Sequence, residues 1–212
     1  MRDYYSARAS EYDGIYRKPE RQPDLRAMEA WISRVFKGRS SVLELACGTG
    51  YWTQFFAPGA ARVVALDAAE QTLQIARTRV AQDKVEFVLG DAYDLPLRAA
   101  SFDAAFAGFW WSHVPLDRVQ QFLAGLHRVL RPGALVVFID NRYVEGSSTP
   151  VSERDADGNT FQVRSLKDGS RHRVLKNFPS RDALLRAVEP FASSAAYREW
   201  EHFWALEYTL AG

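Results

Sequence analysis

The sequence predicts an α/β fold built on an open, twisted, mostly parallel sheet with helices on both faces. Three observations predict it. Apolar runs at Val42–Leu45, Val63–Asp67 and residues 135–140 alternate with stretches of helical periodicity, the order produced by right-handed parallel crossovers. The first run breaks into a glycine turn, Cys47-Gly48-Thr49-Gly50, and the second ends on an acid, Asp67. A buried strand, a turn whose glycines let the backbone approach a ligand, and an acid closing the next strand together describe a nucleotide-ribose site at the carboxyl edge of such a sheet.

Along the chain, residues 4–16 are aromatic and polar, with Tyr4, Tyr5, Tyr12 and Tyr16 near helical spacing. Residues 23–36 carry Leu25, Met28, Trp31, Ile32 and Val35 at helical intervals, the stripe of an amphipathic helix packed on a sheet. Further helices follow the parallel strands at residues 52–56, at 70–81 with Leu73, Ile75 and Ala76, at 115–130, and at Arg181–Val188 before Pro190. Residues 85–92 read as a third strand ending on Asp91, and residues 101–109 as a fourth. Residues 126–140 combine a helix end, a Pro132-Gly133 turn and a fifth strand. The aromatic stretch 197–210 supplies the last two strands.

Between residues 141 and 178 the pattern changes. Two alternating runs, 160–166 and 171–176, flank Lys167-Asp168-Gly169-Ser170 and make a β-hairpin. The insertion follows the fifth strand, at the edge where open sheets bind ligands, and reads as a lid over the substrate side. Residues 153–159 read as a short polar loop; their Asp-x-Asp-Gly fragment lacks the remaining ligands of a calcium loop. The length suits one domain, divided into an N-terminal cap and helix (1–38), a ligand-binding core (39–140), the hairpin lid (141–178) and a C-terminal helix with the last strands (179–212).

Composition argues against several classes. With 27 basic against 26 acidic side chains, the net charge of +1 gives no general drive toward nucleic acid or an anionic membrane. No apolar run approaches the roughly 20 residues a membrane span requires. A lone Cys47 permits no internal disulfide, and residues 1–4 carry no apolar signal region, so a reducing cytoplasm is expected. The four histidines are too dispersed for a metal cluster, and no metal is expected.

The glycine spacing separates one adenosine ligand from another. A dinucleotide fingerprint has a third glycine that lets helix and strand pack beneath a pyrophosphate. Here the pattern is Glu44-x-Ala46-x-Gly48-x-Gly50, followed by Tyr51 and Trp52. An acid before the turn opposes a diphosphate and favours the amino group of an amino-acid moiety. At these residues the chain resembles the class I S-adenosylmethionine-dependent methyltransferases, whose first motif is commonly E-x-G-x-G-x-G; Ala46 stands where that family usually has glycine. Asp91, the fourth strand and the Leu126–Asp140 pattern fall where the family has its later motifs, so the resemblance covers about residues 40–140. It implies a Rossmann-like seven-stranded sheet with one antiparallel strand, S-adenosylmethionine as cofactor, Asp67 at the ribose, Asp91 at the adenine, and an N-terminal segment that closes over the cofactor.

The expected cofactor residues are thus Tyr4, Tyr12, Glu44, Ala46, Gly48, Gly50, Asp67, Ala68, Asp91, Ala92, Phe109 and Trp110. The expected acceptor residues are Trp111, His113, Arg164 and His172. A sulfonium methyl is already activated, so its transfer is an in-line displacement needing chiefly alignment and water exclusion, and an aromatic cavity of Tyr4, Tyr12, Phe109, Trp110 and Trp111 suits it. His113, just past the fourth strand, is the best-placed general base, its alternative being a histidine that packs in the loop. Asp67 could instead cap the following helix, Glu44 could merely orient the glycine loop, and Arg17 could meet the cofactor carboxylate or solvent. Arg164, Arg171, Arg173 and Lys176 either steer an anionic acceptor or protect an edge strand. His127 reads as structural and His202 as core.

The function expected is methyl transfer to a small-molecule acceptor, with a homodimer left open. Against a protein or RNA methyltransferase stand the near-neutral charge and Gly108-Phe109-Trp110-Trp111 in place of an Asn-Pro-Pro-Tyr-like clamp. A non-catalytic adenosine-ligand binder and a nicotinamide oxidoreductase are the remaining alternatives. Asp67→Ala is expected to abolish cofactor binding with the fold intact.

Overall fold

The computed structural model describes Tyr4 and residues 8–212. Tyr5, singled out in the sequence, lies outside the described residues. The sheet has seven strands: β1 (Val42–Leu45), β2 (Val63–Asp67), β3 (Val85–Leu89), β4 (Phe102–Gly108), β5 (Leu130–Asn141), β9 (Ala192–Glu199) and β10 (Phe203–Leu210). Their order is β3-β2-β1-β4-β5-β10-β9. Pairings from β3 through β5 are parallel, while β10 runs antiparallel to both β5 and β9. The order reverses direction at β1, so β1 and β4 leave the crevice between their carboxyl ends in which open sheets bind ligands.

Alternation along the central strands divides the core in two. Val42, Phe106, Val137 and Ile139 face one layer, with Leu25, Met28 and Ile32 of α1 (Gln22–Val35), Phe56 of α2 (Thr53–Phe56) and Leu73 of α3 (Glu70–Arg79). Leu43, Leu45, Val136, Phe138 and Trp204 face the other, with Phe122 and Leu126 of α4 (Val119–Val129) and Leu184 and Val188 of α5 (Arg181–Val188). Both faces of the central strands are therefore dry, which is why those strands read as apolar runs, whereas the edge strand β9 is largely exposed. Ser180 caps α5 by accepting from Ala183 N–H at 3.2 Å.

Several boundaries differ from the sequence reading: β9 begins at Ala192, five residues before the expected 197, and α3 ends at Arg79, two before the expected 81. The third strand stops at Leu89, and Gly90, where a Cβ would sit 2.8 Å from Leu66 Cδ1, passes close over β2 and donates its N–H to Asp67 O at 3.0 Å. Residues 153–159 are not wholly loop: β6 (Glu153–Arg154) pairs with β7 (Thr160–Ser165), which pairs with β8 (Arg171–Leu175), giving a three-stranded antiparallel sheet. β6 is tied across this small sheet by the Arg173 guanidinium, which forks onto the Glu153 carboxylate with two 2.8 Å bonds and lies 3.4 Å from the Phe161 ring centre. No described helix is long and apolar enough to cross a membrane.

The hairpin is fastened to the main sheet at its root. Asn177 N–H donates to Ser112 O at 2.8 Å. Lys176 Nζ, wholly buried, donates to Asp140 Oδ1 at 2.7 Å and to Ser112 Oγ at 2.6 Å. Burial pushes the Lys176 ammonium down in pKa and outweighs the attraction of Asp140.

Candidate functional site

At the end of β1 the backbone enters the left-handed region at Ala46 (φ 51°), Gly48 (φ 56°) and Gly50 (φ 73°). For Ala46 this is strained by roughly 1–2 kcal/mol, and it is the position at which the family usually has glycine. The turn is clamped to β2: Cys47 N–H donates to Leu66 O at 3.0 Å and Gly48 N–H to Asp67 Oδ2 at 2.8 Å. Asp67 Oδ1 meanwhile accepts from Ala69 N–H at 2.9 Å and from Thr72 Oγ1 at 3.0 Å, at the N-terminus of α3. One carboxylate thus joins the glycine turn to a helix start, so it caps the helix and borders the crevice at once. Burial pushes its pKa up against the pull of these donors.

A cavity of about 510 Å³ opens above this clamp. It is lined by Ala46, Gly48, Asp67 and Ala68 from the ends of β1 and β2, by Gly90, Asp91, Ala92 and Tyr93 after β3, by Phe109, Trp110 and His113 after β4, and by Tyr12. Asp91 Oδ1 accepts from Tyr93 N–H at 2.9 Å, which holds the segment after β3 in place. The sequence reading omits Thr72 and Tyr93; Thr72 follows Asp67 by little more than one helical turn, and that spacing was the available signal.

Three expected cofactor residues stand elsewhere. Glu44 lies under the turn, 1% exposed, accepting from Thr53 Oγ1 at 2.6 Å; burial raises its pKa to about 8. Gly50 faces α3 instead of the cavity: a Cβ there would meet Ala76 Cβ at 3.1 Å and Val80 Cγ2 at 3.2 Å. Tyr4 lines a second cavity, of about 340 Å³, where its ring sits 5.2 Å from that of His172. The two cavities share Tyr12, Phe109 and His113 as a common wall.

On the acceptor side the structure brings Arg164 and His113 together and leaves Trp111 out. Phe109 takes φ 58°, which turns the chain so that Trp110 faces the first cavity and Trp111 enters the core between Phe138 and Trp204. His172 receives or gives a hydrogen bond at Ser170 Oγ, 2.9 Å away, on the hairpin. His113 Nδ1 lies 2.6 Å from Leu175 O, an acceptor only, so Nδ1 carries the proton. Burial, then the charges of Lys176, Arg164 and Arg8, hold the His113 pKa well below the usual range. A lowered pKa leaves the ring unprotonated more readily and weakens it as a proton acceptor. His127 Nε2 meets Tyr208 OH at 2.7 Å and His202 Nδ1 meets Asp24 at 3.2 Å, both away from the cavities. Sequence reasoning missed Arg8 and Arg21, which line the second cavity and belong to no motif.

A methyltransferase-domain family model matches residues 42–133. Among solved structures, the DhpI–SAH complex is 31% identical, covering 99% of this chain and 94% of that one with a TM-score of 0.79. The chain belongs to the class I S-adenosylmethionine-dependent methyltransferases. The DhpI–SAM–HEP complex matches this methyltransferase similarly, at 31% identity and TM-score 0.78 over 97% of the chain and 94% of its own. A demethylmenaquinone methyltransferase of Clavibacter sepedonicus is 42% identical over 160 residues, and a malonyl-[acyl-carrier protein] O-methyltransferase of Serratia marcescens 31% over 166. These matches take in 75% and 70% of the chain, respectively, but each spans only 62% of the relative's own length.

The residues present fit the family's cofactor on two observations. Gly48 leaves the crevice open, its nearest atom to an added Cβ being Tyr12 Cε1 at 3.9 Å. Tyr93 OH and Trp110 Nε1, on residues of the same cavity, are buried and have no hydrogen-bond partner among the described residues.

Proposed function

We propose that the chain transfers a methyl group from S-adenosylmethionine to a small-molecule acceptor held in the second cavity. The observation that carries this reading is the wall of Tyr12, Phe109 and His113 common to the two cavities, since a methyl must cross between neighbouring sites of which one fits a nucleoside and the other a small molecule. The relatives' names support a modest acceptor without agreeing on one: a quinone in one case, a carrier-bound malonyl group in the other.

When bound, the cofactor supplies a methyl already activated on a sulfonium. Asp67 would accept from the ribose hydroxyls with the carboxylate that Gly48 and Ala69 hold in place, and Asp91 would meet the adenine edge. Ala46, Gly48, Ala68, Ala92 and Trp110 would enclose the nucleoside, and Glu44, beneath the turn, would supply negative charge toward the amino end. Tyr12 and Phe109 would exclude water between donor and acceptor and present ring faces to the cation. Orientation of this kind can supply roughly 7–11 kcal/mol of the barrier. Tyr4 and Arg164 would shape the acceptor side, with His172 outside the lining and against the Tyr4 ring, and His113 as a polar group fixed by Leu175 O. A cytoplasmic setting is part of the proposal, supported by a single, buried, unpaired cysteine.

The test is a cofactor-consumption assay across a metabolite panel, with the product identified by a methyl mass gain. Turnover with at least one small acceptor is expected; methylation restricted to an RNA or a protein would overturn the reading.

A further inference from the structure

Beyond the common wall, the second cavity gathers charge of one sign. Arg8, Lys18, Arg21, Arg164 and Lys176 line it, against Glu11 as the carboxylate among the described lining residues. Two of these cations are matched close by: Lys176 by Asp140 at 2.7 Å and Lys18 by Glu20 at 4.0 Å. The hydrogen-bond and ring partners of the other three are neutral, although Glu20, which accepts from Ser147 Oγ at 2.9 Å, and Asp24 also act on Arg21, leaving Arg8 and Arg164 as the cations farthest from balance. Arg164 directs Nε and Nη2 onto Gln162 Oε1 at 3.1 and 2.7 Å. Arg21, only 8% exposed, directs Nε to Ser147 Oγ and Nη2 to Ser147 O, both at 3.0 Å. Arg8 lies over the rings of Tyr4 and Tyr12, at 5.7 and 5.4 Å. Glu11 is turned to the hairpin, accepting from Lys167 N–H at 3.3 Å.

These groups share one space. Arg8 and Arg164 both act electrostatically on Tyr12 and on His113, and Arg164 and Arg21 both act on Lys176. Guanidinium groups that converge with neutral partners repel one another, and the arrangement is complemented by a ligand that brings the missing negative charge. Their planar forks match the oxygens of a carboxylate or a phosphoryl group. The cofactor's own carboxylate does not account for them, since a single monoanion satisfies one fork and the nucleoside cavity lies across the wall of Tyr12, Phe109 and His113.

We propose that the second cavity is an oxyanion site, and that the acceptor is a small molecule whose carboxylate or phosphoryl group is bound by Arg164, Arg8 and Arg21. The inference rests on the methyl-transfer reading for the identity of this cavity. It also assigns a purpose to the hairpin's charge, which the sequence left divided between anion steering and edge protection: Arg164 turns inward, whereas Arg173 is engaged outside by Glu153.

The test uses the full chain saturated with S-adenosylhomocysteine, titrated calorimetrically with inorganic phosphate and, separately, with succinate. At least one should bind, and its affinity should fall several-fold when NaCl is raised from about 50 to about 500 mM, as screening requires. Arg164→Gln should weaken that binding at least tenfold while leaving S-adenosylhomocysteine affinity within twofold; Arg8→Gln serves as a second variant should the first fail to fold. The stronger of the two probes tells a phosphoryl from a carboxylate acceptor. If S-adenosylhomocysteine binds and neither anion does, or if Arg164→Gln binds the anion as well as the native chain, the oxyanion site is refuted and methyl transfer stands. If Arg164→Gln instead loses S-adenosylhomocysteine, the arginine serves the cofactor and the proposal falls. Failure of the native chain to bind S-adenosylhomocysteine would remove the methyl-transfer reading itself.

Discussion

Cofactor binding should expel a proton from Glu44, and Glu44→Gln should abolish that release. Burial raises the Glu44 pKa to about 8, so at pH 7 the carboxyl is protonated in roughly nine molecules of ten. A cation arriving within 4–6 Å typically lowers a carboxyl pKa by about 1–3 units. If the amino end of the cofactor is that cation, the pKa falls to roughly 5–7, and about 0.4–0.9 proton leaves per cofactor bound at pH 7. The sign follows: binding strengthens as pH rises from 6 to 8, by about 0.4–0.9 log unit per pH unit near neutrality. The assay is titration with S-adenosylhomocysteine at pH 7 in MOPS and in Tris, whose ionisation enthalpies differ widely. The native chain should give different heats in the two buffers, and Glu44→Gln equal ones. The variant keeps an oxygen to accept from Thr53 Oγ1, so its turn should hold. Equal heats for the native chain would refute the reasoning, since Glu44 would then be either ionised beforehand or remote from the bound cation.

Three other outcomes follow from the geometry. Asp67→Ala should weaken S-adenosylhomocysteine binding at least about 100-fold, from two charge-assisted bonds worth roughly 1.5–3 kcal/mol each; calorimetry showing unchanged affinity would remove it from the ribose. The same variant should also lose about 2–4 kcal/mol in denaturant unfolding, because Gly48 N–H, Ala69 N–H and Thr72 Oγ1 lose their acceptor. Gly50→Ala combines a left-handed residue with a Cβ 3.1 Å from Ala76 Cβ and should destabilise by roughly 2–4 kcal/mol; a loss under about 1 kcal/mol in the same measurement would contradict the close approach. The pH–rate profile should show no inflection near 6.5, because burial and neighbouring cations hold the His113 pKa well below that value, and an inflection there that vanished in His113→Gln would contradict this.

Much of the fold was legible because a sheet covered on both faces writes its strands as apolar runs. Val42–Leu45, Val63–Asp67 and Arg181–Val188 fall where the sequence puts them, and α1 begins one residue before the expected helix and ends one residue short of its end. What escaped was decided by contacts distant in sequence. Glu153 and Arg154 have nothing strand-like about them until Arg173 reaches across, twenty residues on, to hold Glu153. Trp110 and Trp111 are adjacent and chemically alike, and only the left-handed turn at Phe109 sends one to the ligand cavity and the other to the core. Gly50 carries a motif glycine's signature, yet its reason is the helix packed against it. Arg8 and Arg21 sit in segments without periodicity that identifies a site, and only the folded hairpin reveals what they face.

The division of labour between the two cavities has a consequence for how such a chain diverges. Walls of the nucleoside crevice come largely from the carboxyl edge of the central strands, which the core fixes, whereas those of its neighbour come mainly from the first twenty or so residues and the hairpin. Because Lys176 rivets the hairpin's root to Asp140, residues such as Val163 and Arg164 farther along the arm can be exchanged without disturbing the clamp at Asp67. Taste for a new acceptor can then evolve on the arm while the donor's berth is inherited unchanged.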